Sequence, residues 1–353
     1  MIKEGIQKLV DGADLSFAEA QNTILEIMAG QTTNAQIAAF LTALRMRGET
    51  VDELTAFARV MREKCIKIYP KVSGRLLDTC GTGGDKIKTF NVSTTASFVI
   101  SGAGATVAKH GNRSVTSKSG SADVLEDLGA NLTATPKNVQ RAVEQVGIGF
   151  MFAPAFHPAM KHASDARKEV GIRTVFNILG PLANPASANA QLLGVYDSRL
   201  TERLAHVLKG LGCEEAMVVH GLDGLDEVST LGKTVISHLT KGEVVTIETA
   251  PSDFGVKQAS LEALQGSTTE ENSETLFRIL NGTAAEDDAK TDIVLINAAA
   301  GLIISGKAGN FTEGMDLARN SIRTGAAYNK LKALVRFTRG DMSKLEGLEQ
   351  KYA

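Results

Sequence analysis

Between Leu76 and Lys118 the chain gathers residue types suited to holding phosphate groups. A short apolar segment, Leu76 and Leu77, leads into Asp78-Thr79-Cys80 and then the turn Gly81-Thr82-Gly83-Gly84-Asp85. Glycines let a backbone approach a ligand closely and aim several N–H groups at it. Asn91, Ser93 and Thr94 follow at the start of a helical stretch, where free N–H groups and the helix dipole favour an anion. Lys109 and Arg113 arrive one crossover later with His110 and Asn112, and would add full positive charge. The chemistry expected is binding of a phosphate-bearing ligand. The loop is neither a GxxxxGK[ST] nucleotide loop nor the GxGxxG turn of a dinucleotide domain. Asp85, directly after the glycines, would repel phosphate unless it met a metal ion through water, held a ligand hydroxyl or oriented the loop.

A second centre is Asp223-Gly224-Leu225-Asp226-Glu227, after an apolar strand and His220-Gly221. Carboxylates in a glycine loop at a strand's end suit Mg²⁺, which takes a few carboxylates and fills its other positions with water and phosphate oxygens. The same residue types also make ordinary solvated turns. A third, basic stretch holds His157, Lys161, His162, Arg167, Lys168 and Arg173, none of which has a role by residue type alone.

The elements that must position these residues come in two textures. The first seventy or so residues read as helices, announced by capping boxes at Ser16/Glu19, Thr33/Gln36 and Thr50/Glu53. Ile24, Ile27 and Met28 make one apolar face, and Ile37, Phe40, Leu41 and Leu44 another. Pro70 and Gly74 end this pattern. Short apolar strands then alternate with helices, at 106–108, 150–152, 192–196 and 216–219, and Thr135-Pro136 opens one intervening helix. Residues 235–239 and 243–247 read as a hairpin around Lys241-Gly242. Helices return at 275–281, 292–305 and 326–339. The expected fold is α/β: a small N-terminal helical domain plus a large α/β domain whose central, mostly parallel sheet is flanked by helices and binds ligand at its strand ends.

At 353 residues the chain has room for one large or two moderate domains. Its formal charge of −2, with both signs interspersed, gives no sign of a nucleic-acid or membrane surface. The N-terminal segment shows no signal-peptide pattern. The apolar run 293–304 is too short to span a bilayer, contains Asn297, and reads as a buried helix. Cys65, Cys80 and Cys213 are scattered without CxxC spacing, which suits reduced cytoplasmic thiols; Cys80 reads as a packing residue.

GTGGD at 81–85, NVST at 91–94, KHGNR at 109–113 and SGSADVLEDLG at 119–129 together resemble the anthranilate phosphoribosyltransferase family of tryptophan biosynthesis. The resemblance continues through FAPAFHPAMKH from Phe152, RKEVGIRTVFNILGPLANP over 167–185 and VVHGLDGLDEVS from Val218, in the family's order. It implies Mg²⁺-dependent transfer of the phosphoribosyl group from phosphoribosyl pyrophosphate to the amine of anthranilate. It implies a phosphoribosyl pyrophosphate site on Gly81, Gly83, Gly84, Asp85, Thr89, Asn91, Ser93, Thr94, Lys109 and Ser121. For anthranilate it implies Gly81, Asn112, Arg167, His110, His157, Gly180 and Pro181, with the Arg167 fork on the carboxylate. Ser93, Asp226 and Glu227 would hold Mg²⁺, and no side chain is assigned as catalytic. The resemblance also implies a homodimer joined through a helical domain of residues 1–72 with about 160–188. Residues 73–159 and 189–353 would form the α/β domain.

Three other readings share some of these features. A pyrimidine nucleoside phosphorylase has a similar glycine loop but no need of the Asp-Glu pair or the GIRTVFNILGPLANP segment. A non-catalytic, nucleic-acid-binding relative would show a basic groove and a damaged loop or acidic site, and neither is present. A transferase for another aromatic acid differs only in pocket shape.

Overall fold

The computed structural model describes residues 1–84, 87–114, 119–285 and 288–353. Four helices come first: α1 (Ile2–Val10), α2 (Phe17–Met28), α3 (Asn34–Arg47) and α4 (Val51–Lys64). The expected capping boxes open the last three, with Ser16, Thr33 and Thr50 each reciprocally bonded to Glu19, Gln36 and Glu53. Glu53 does more than cap. Its buried carboxylate also accepts from the Leu15 amide at 2.8 Å and pairs with Arg47, tying the α1–α2 connection to α4.

Seven strands form a single sheet among the described residues: β1 (Leu76–Gly81), β2 (Thr106–Gly111), β3 (Ile148–Phe152), β4 (Ala190–Gly194), β5 (Glu215–Gly221), β6 (Thr234–Thr240) and β7 (Glu243–Thr249). Their order is β3-β2-β1-β4-β5-β6-β7. The first five pair in parallel, while β6 and β7 add the expected hairpin in antiparallel fashion. Between the first strands run α5 (Val92–Gly102), α6 (Ser121–Asp127) and α7 (Pro136–Val146), the last capped by Thr135 with Pro136 at its first position. Next come α8 (Ala153–Phe156), α9 (Lys161–Val170), α10 (Phe176–Leu182) and α11 (Thr201–Gly210). The chain closes with α12 (Leu261–Leu264), α13 (Thr269–Leu280), α14 (Ala289–Ile304), α15 (Phe311–Arg323), α16 (Ala326–Phe337) and α17 (Ser343–Lys351). Sequence patterning had not marked α15 or α17.

Helices cover both faces of the sheet, as a parallel sheet requires. Side chains alternate between the two cores with the strand period of two. Leu192 and Met217 face the core built with α5, α13, α14 and α16. Leu193, Ala216 and Val218 face the other, which joins α1–α4, α9, α10 and α11. The fourth strand starts and stops two residues earlier than its apolar run suggests. Beyond Gly194 the chain turns to the phosphate loop, where the Tyr196 amide donates to Thr82 Oγ1 at 3.2 Å.

From β1 the chain winds outward through β2 to β3, then returns to the other side of β1 with β4 and winds outward again. The direction of winding thus reverses between β1 and β4. An open α/β sheet leaves its ligand crevice at such a point, outside the carboxyl ends of the strands.

Candidate active site

At this crevice β1 ends on Gly81 and β4 on Gly194, directly paired. The acidic loop after β5 lies across the pair. A Cβ on Gly194 would run into the Asp226 carbonyl, and one on Gly81 into the Asp226 carboxylate. Glycine at both ends is what lets the loop come this close.

Asp226 and Glu227 are only 9% and 8% exposed. Asp226 Oδ2 accepts from the Gly83 amide at 2.9 Å, and Glu227 Oε1 from the Ser93 amide at 3.2 Å, at the start of α5. The third acid of the loop does something else. Asp223 accepts from the Leu225 amide at 3.1 Å and the Ser229 hydroxyl at 2.6 Å, so it shapes the turn.

These groups surround a cavity of roughly 320 Å³. Every site residue expected from the sequence lines it, except His157 and Asp85. Asp85 lies outside the described residues. Thr89, Asn91, Ser93 and Thr94 come from the segment opening α5, and Ser121 from the first turn of α6. Asn91 Oδ1 is buried with no hydrogen-bond partner among the described residues, while its amide group donates to Ser119 O at 3.3 Å.

Lys109 is buried beneath this cavity, its ammonium donating to Thr79 O and, at 3.3 Å, to Ser93 Oγ. Burial lowers its pKa, while the neighbouring Asp78 carboxyl pulls the other way. Asp78 is itself fully buried, and desolvation raises its pKa. It accepts from the His110 amide at 3.1 Å and from Gln191 Nε2 at 3.3 Å. Arg113 differs from expectation. Its guanidinium pairs with Asp123 at 2.9 Å and Glu126 at 2.8 Å, so its charge is already matched by two carboxylates.

A second cavity of roughly 390 Å³ opens beside the first and includes His157, Met61, Pro154 and Met160. The two share His110, Asn112, Arg167, Phe176 and Gly180. Pro181 lines the phosphate side only. Arg167, half-buried on α9, stacks with its Cζ 5.1 Å from the Phe176 ring centre, and burial lowers its pKa. The rings of His110 and His157 lie 5.0 Å apart, and neither Nε2 has a hydrogen-bond partner among the described residues. Burial lowers His110 to about 3 and His157 to about 4, so both are neutral near pH 7.

A family model described as the helical bundle domain of a glycosyl transferase family matches residues 3–65, and its a/b domain counterpart matches residues 73–328. An anthranilate phosphoribosyltransferase from Acetivibrio thermocellus is 50% identical, covering 97% of this chain and 98% of the relative. The chain belongs to the anthranilate phosphoribosyltransferase family. The crystal structure of the family member from Thermus thermophilus is 41% identical with a TM-score of 0.89, over 95% of this chain and 99% of that one. The Saccharomyces cerevisiae member in complex with PRPP (phosphoribosyl pyrophosphate) and Mg is 31% identical with a TM-score of 0.88, over 96% and 98%.

Two residues of this anthranilate phosphoribosyltransferase fold serve the site without having been assigned to it from sequence. Asn297, the polar break in the apolar run of α14, is fully buried. It accepts from the Val228 amide and donates to the Val228 carbonyl, both at 3.0 Å, which fixes the chain immediately after Glu227. A polar residue inside an apolar helix was the available signal, since such a group is buried only when a partner meets it. The other is Arg173, which donates to the Gly84 carbonyl and lines the phosphate cavity. Nothing in its sequence setting sets it apart from neighbouring cations.

Proposed function

We propose that this chain catalyses transfer of the phosphoribosyl group from phosphoribosyl pyrophosphate to the amine of anthranilate, releasing pyrophosphate, in tryptophan biosynthesis. The observation that carries this reading is the junction of two unlike cavities at His110, Asn112, Arg167, Phe176 and Gly180. One side offers backbone amides, hydroxyls, a lysine and two carboxylates, the set a pyrophosphorylated sugar needs. The other offers a half-apolar slot lined in part by the Arg167 guanidinium, which suits an aromatic acid.

In this reading the pyrophosphate lies on the 81–84 loop and the 5-phosphate near Asn91, Ser93, Thr94 and Lys109. Arg167 takes the anthranilate carboxylate and aims the amine at the anomeric carbon. The bond to pyrophosphate breaks as the C–N bond forms on the opposite face, through an oxocarbenium-like transition state, and the surplus proton on the nitrogen then passes to the released pyrophosphate or to water. An aromatic amine attacks without prior deprotonation, so positioning is the main contribution of the residues around it. The carboxylates of Asp226 and Glu227 with the Ser93 hydroxyl form an all-oxygen donor set beside the phosphate loop, which fits Mg²⁺. When bound, Mg²⁺ supplies charge neutralisation for the departing pyrophosphate.

The same reading extends to a cytoplasmic homodimer joined through the helical domain. In this reading residues 1–72 and about 160–188 form that domain; Ala163, Ala166 and Phe176 share a core with Ile24, Leu41 and Leu54, a core that also takes in Leu193, Ala216 and Val218 of the sheet. Light scattering on the purified protein tests the dimer. No helix among the described residues is long and apolar enough to cross a membrane.

The test of the reaction is continuous loss of anthranilate fluorescence on mixing with phosphoribosyl pyrophosphate and Mg²⁺. Turnover that EDTA abolishes is the expected result. No turnover at any Mg²⁺ concentration would overturn the reading and direct the search to nucleosides with phosphate.

A further inference from the structure

We propose that Arg173 is a positioning residue that sets the phosphate loop for phosphoribosyl pyrophosphate, acting from the helical side through Gly84 and Tyr196. This deepens the reading above and rests on it.

Arg173 lies in the turn between α9 and α10, half-buried, with its Cζ 4.5 Å from the centre of the Tyr196 ring. Its Nη2 donates to the Gly84 carbonyl. Among the described residues the guanidinium makes no ion pair, in contrast to Arg113. Stacking on an aromatic face fixes the plane of a guanidinium and leaves its edge free to donate, so the Tyr196 ring aims the fork at the loop. Gly84 has φ +80°, and a Cβ there would occupy the position of the guanidinium. The glycine is therefore required both by the backbone conformation and by the approach of Arg173.

The other side of the loop is held from the sheet. Gly83 donates to Asp226 at 2.9 Å, and the Thr82 amide donates to Gly194 O at 2.9 Å. Tyr196 contributes twice, since its amide bonds Thr82 Oγ1 at 3.2 Å while its ring carries Arg173. The loop is thus gripped between a carboxylate on one flank and a guanidinium on the other. Arg173 also follows α9, which carries Arg167, so one short segment serves the aromatic-acid end and the phosphate end. The expected consequence of losing Arg173 is a loop free to leave its ligand-ready geometry, felt by the phosphorylated substrate and not by the aromatic acid.

Steady-state kinetics with both substrates varied test this in the full-length protein. Arg173→Ala is expected to raise KM for phosphoribosyl pyrophosphate about tenfold, with less than about a twofold change in KM for anthranilate. Tyr196→Phe keeps the ring and the amide, so it should raise KM for phosphoribosyl pyrophosphate less than Tyr196→Leu does. Tyr196→Leu should show part of the Arg173→Ala defect, and the double variant should be no worse than Arg173→Ala alone. Arg173→Lys should not rescue, because an ammonium lacks the planar fork. Equal rises in both substrate constants, an unchanged donor KM, or additive single effects would overturn the role. If Arg173→Ala does not fold by thermal melting, the two Tyr196 variants decide. Calorimetric titration of wild type with phosphoribosyl pyrophosphate separates the two levels of inference. Absence of binding there sinks the underlying functional reading, whereas wild-type binding that Arg173→Ala leaves unchanged sinks only the role of Arg173.

Discussion

The backbone amide of Gly83 donates to Asp226 Oδ2 at 2.9 Å, which makes the phosphate loop and the acidic loop one device. The carboxylate suited to Mg²⁺ is also the support on which the glycine turn rests. Asp226→Asn keeps an oxygen acceptor for Gly83 while removing the charge, so it separates the two duties. Combined with Glu227→Gln, it is expected to raise the Mg²⁺ requirement and KM for phosphoribosyl pyrophosphate at least about tenfold, with KM for anthranilate little changed. Mg²⁺ titrations at fixed substrate check this, and equal effects on both substrates would refute the assignment.

Arg167→Ala should show the opposite split. A charge-assisted hydrogen bond contributes about 1.5–3 kcal/mol, so KM for anthranilate should rise about ten- to hundredfold. Binding of phosphoribosyl pyrophosphate, followed by calorimetry in the absence of anthranilate, should stay near wild type.

The His110–His157 pair predicts a pH dependence of stability. Burial lowers the two rings from 6.5 to about 3 and about 4, respectively. Above pH 6.5 both are neutral folded or unfolded, and nothing is lost. As pH falls below 6.5 the unfolded chain takes up protons that the folded one refuses, so stability declines by up to about 1.4 kcal/mol per pH unit for each ring. Thermal melts between pH 5 and 8 should show this slope, and His157→Asn should remove about half of it. Comparing the two proteins cancels the opposing contribution of Asp78, whose pKa burial raises. A slope unchanged in His157→Asn would mean that this ring is not held neutral. Activity should show no limb at pH 6.5 from either ring.

Gly194→Ala should damage the site through sterics alone, because its Cβ would collide with the Asp226 carbonyl. Overpacking of this kind costs about 1–3 kcal/mol. A lower Tm together with a raised KM for phosphoribosyl pyrophosphate is expected. Gly347→Ala is the control, since nothing lies within 4 Å of its added Cβ and it sits inside α17. An unchanged Tm in Gly194→Ala would show that the acidic loop moves aside at no cost.

Local rules account for what could be seen in advance. Ser16, Thr33, Thr50 and Thr135 announce helices because each cap bonds a backbone amide three residues away. The β6–β7 hairpin was visible because turn and strand patterns adjoin, and the glycine loop and acidic pair because phosphate and metal chemistry need those residue types. What stayed hidden depends on contacts between distant parts of the chain. Arg113 and Arg173 are both cations near the crevice. Only the fold turns the first to Asp123 and Glu126 and lays the second on Tyr196 against a glycine 89 residues earlier. Asn297 likewise could be seen as an oddity in α14, but its partner Val228 lies 69 residues away. By itself, then, the sequence determined the helices, the strands and the inventory of chemical groups, since propensity, capping and residue chemistry act over a few neighbouring positions. Which of those groups meet, and which cation is left to face the phosphate loop, was decided by the tertiary structure, because hydrogen bonds and ion pairs act only over a few ångströms and packing chooses the partners.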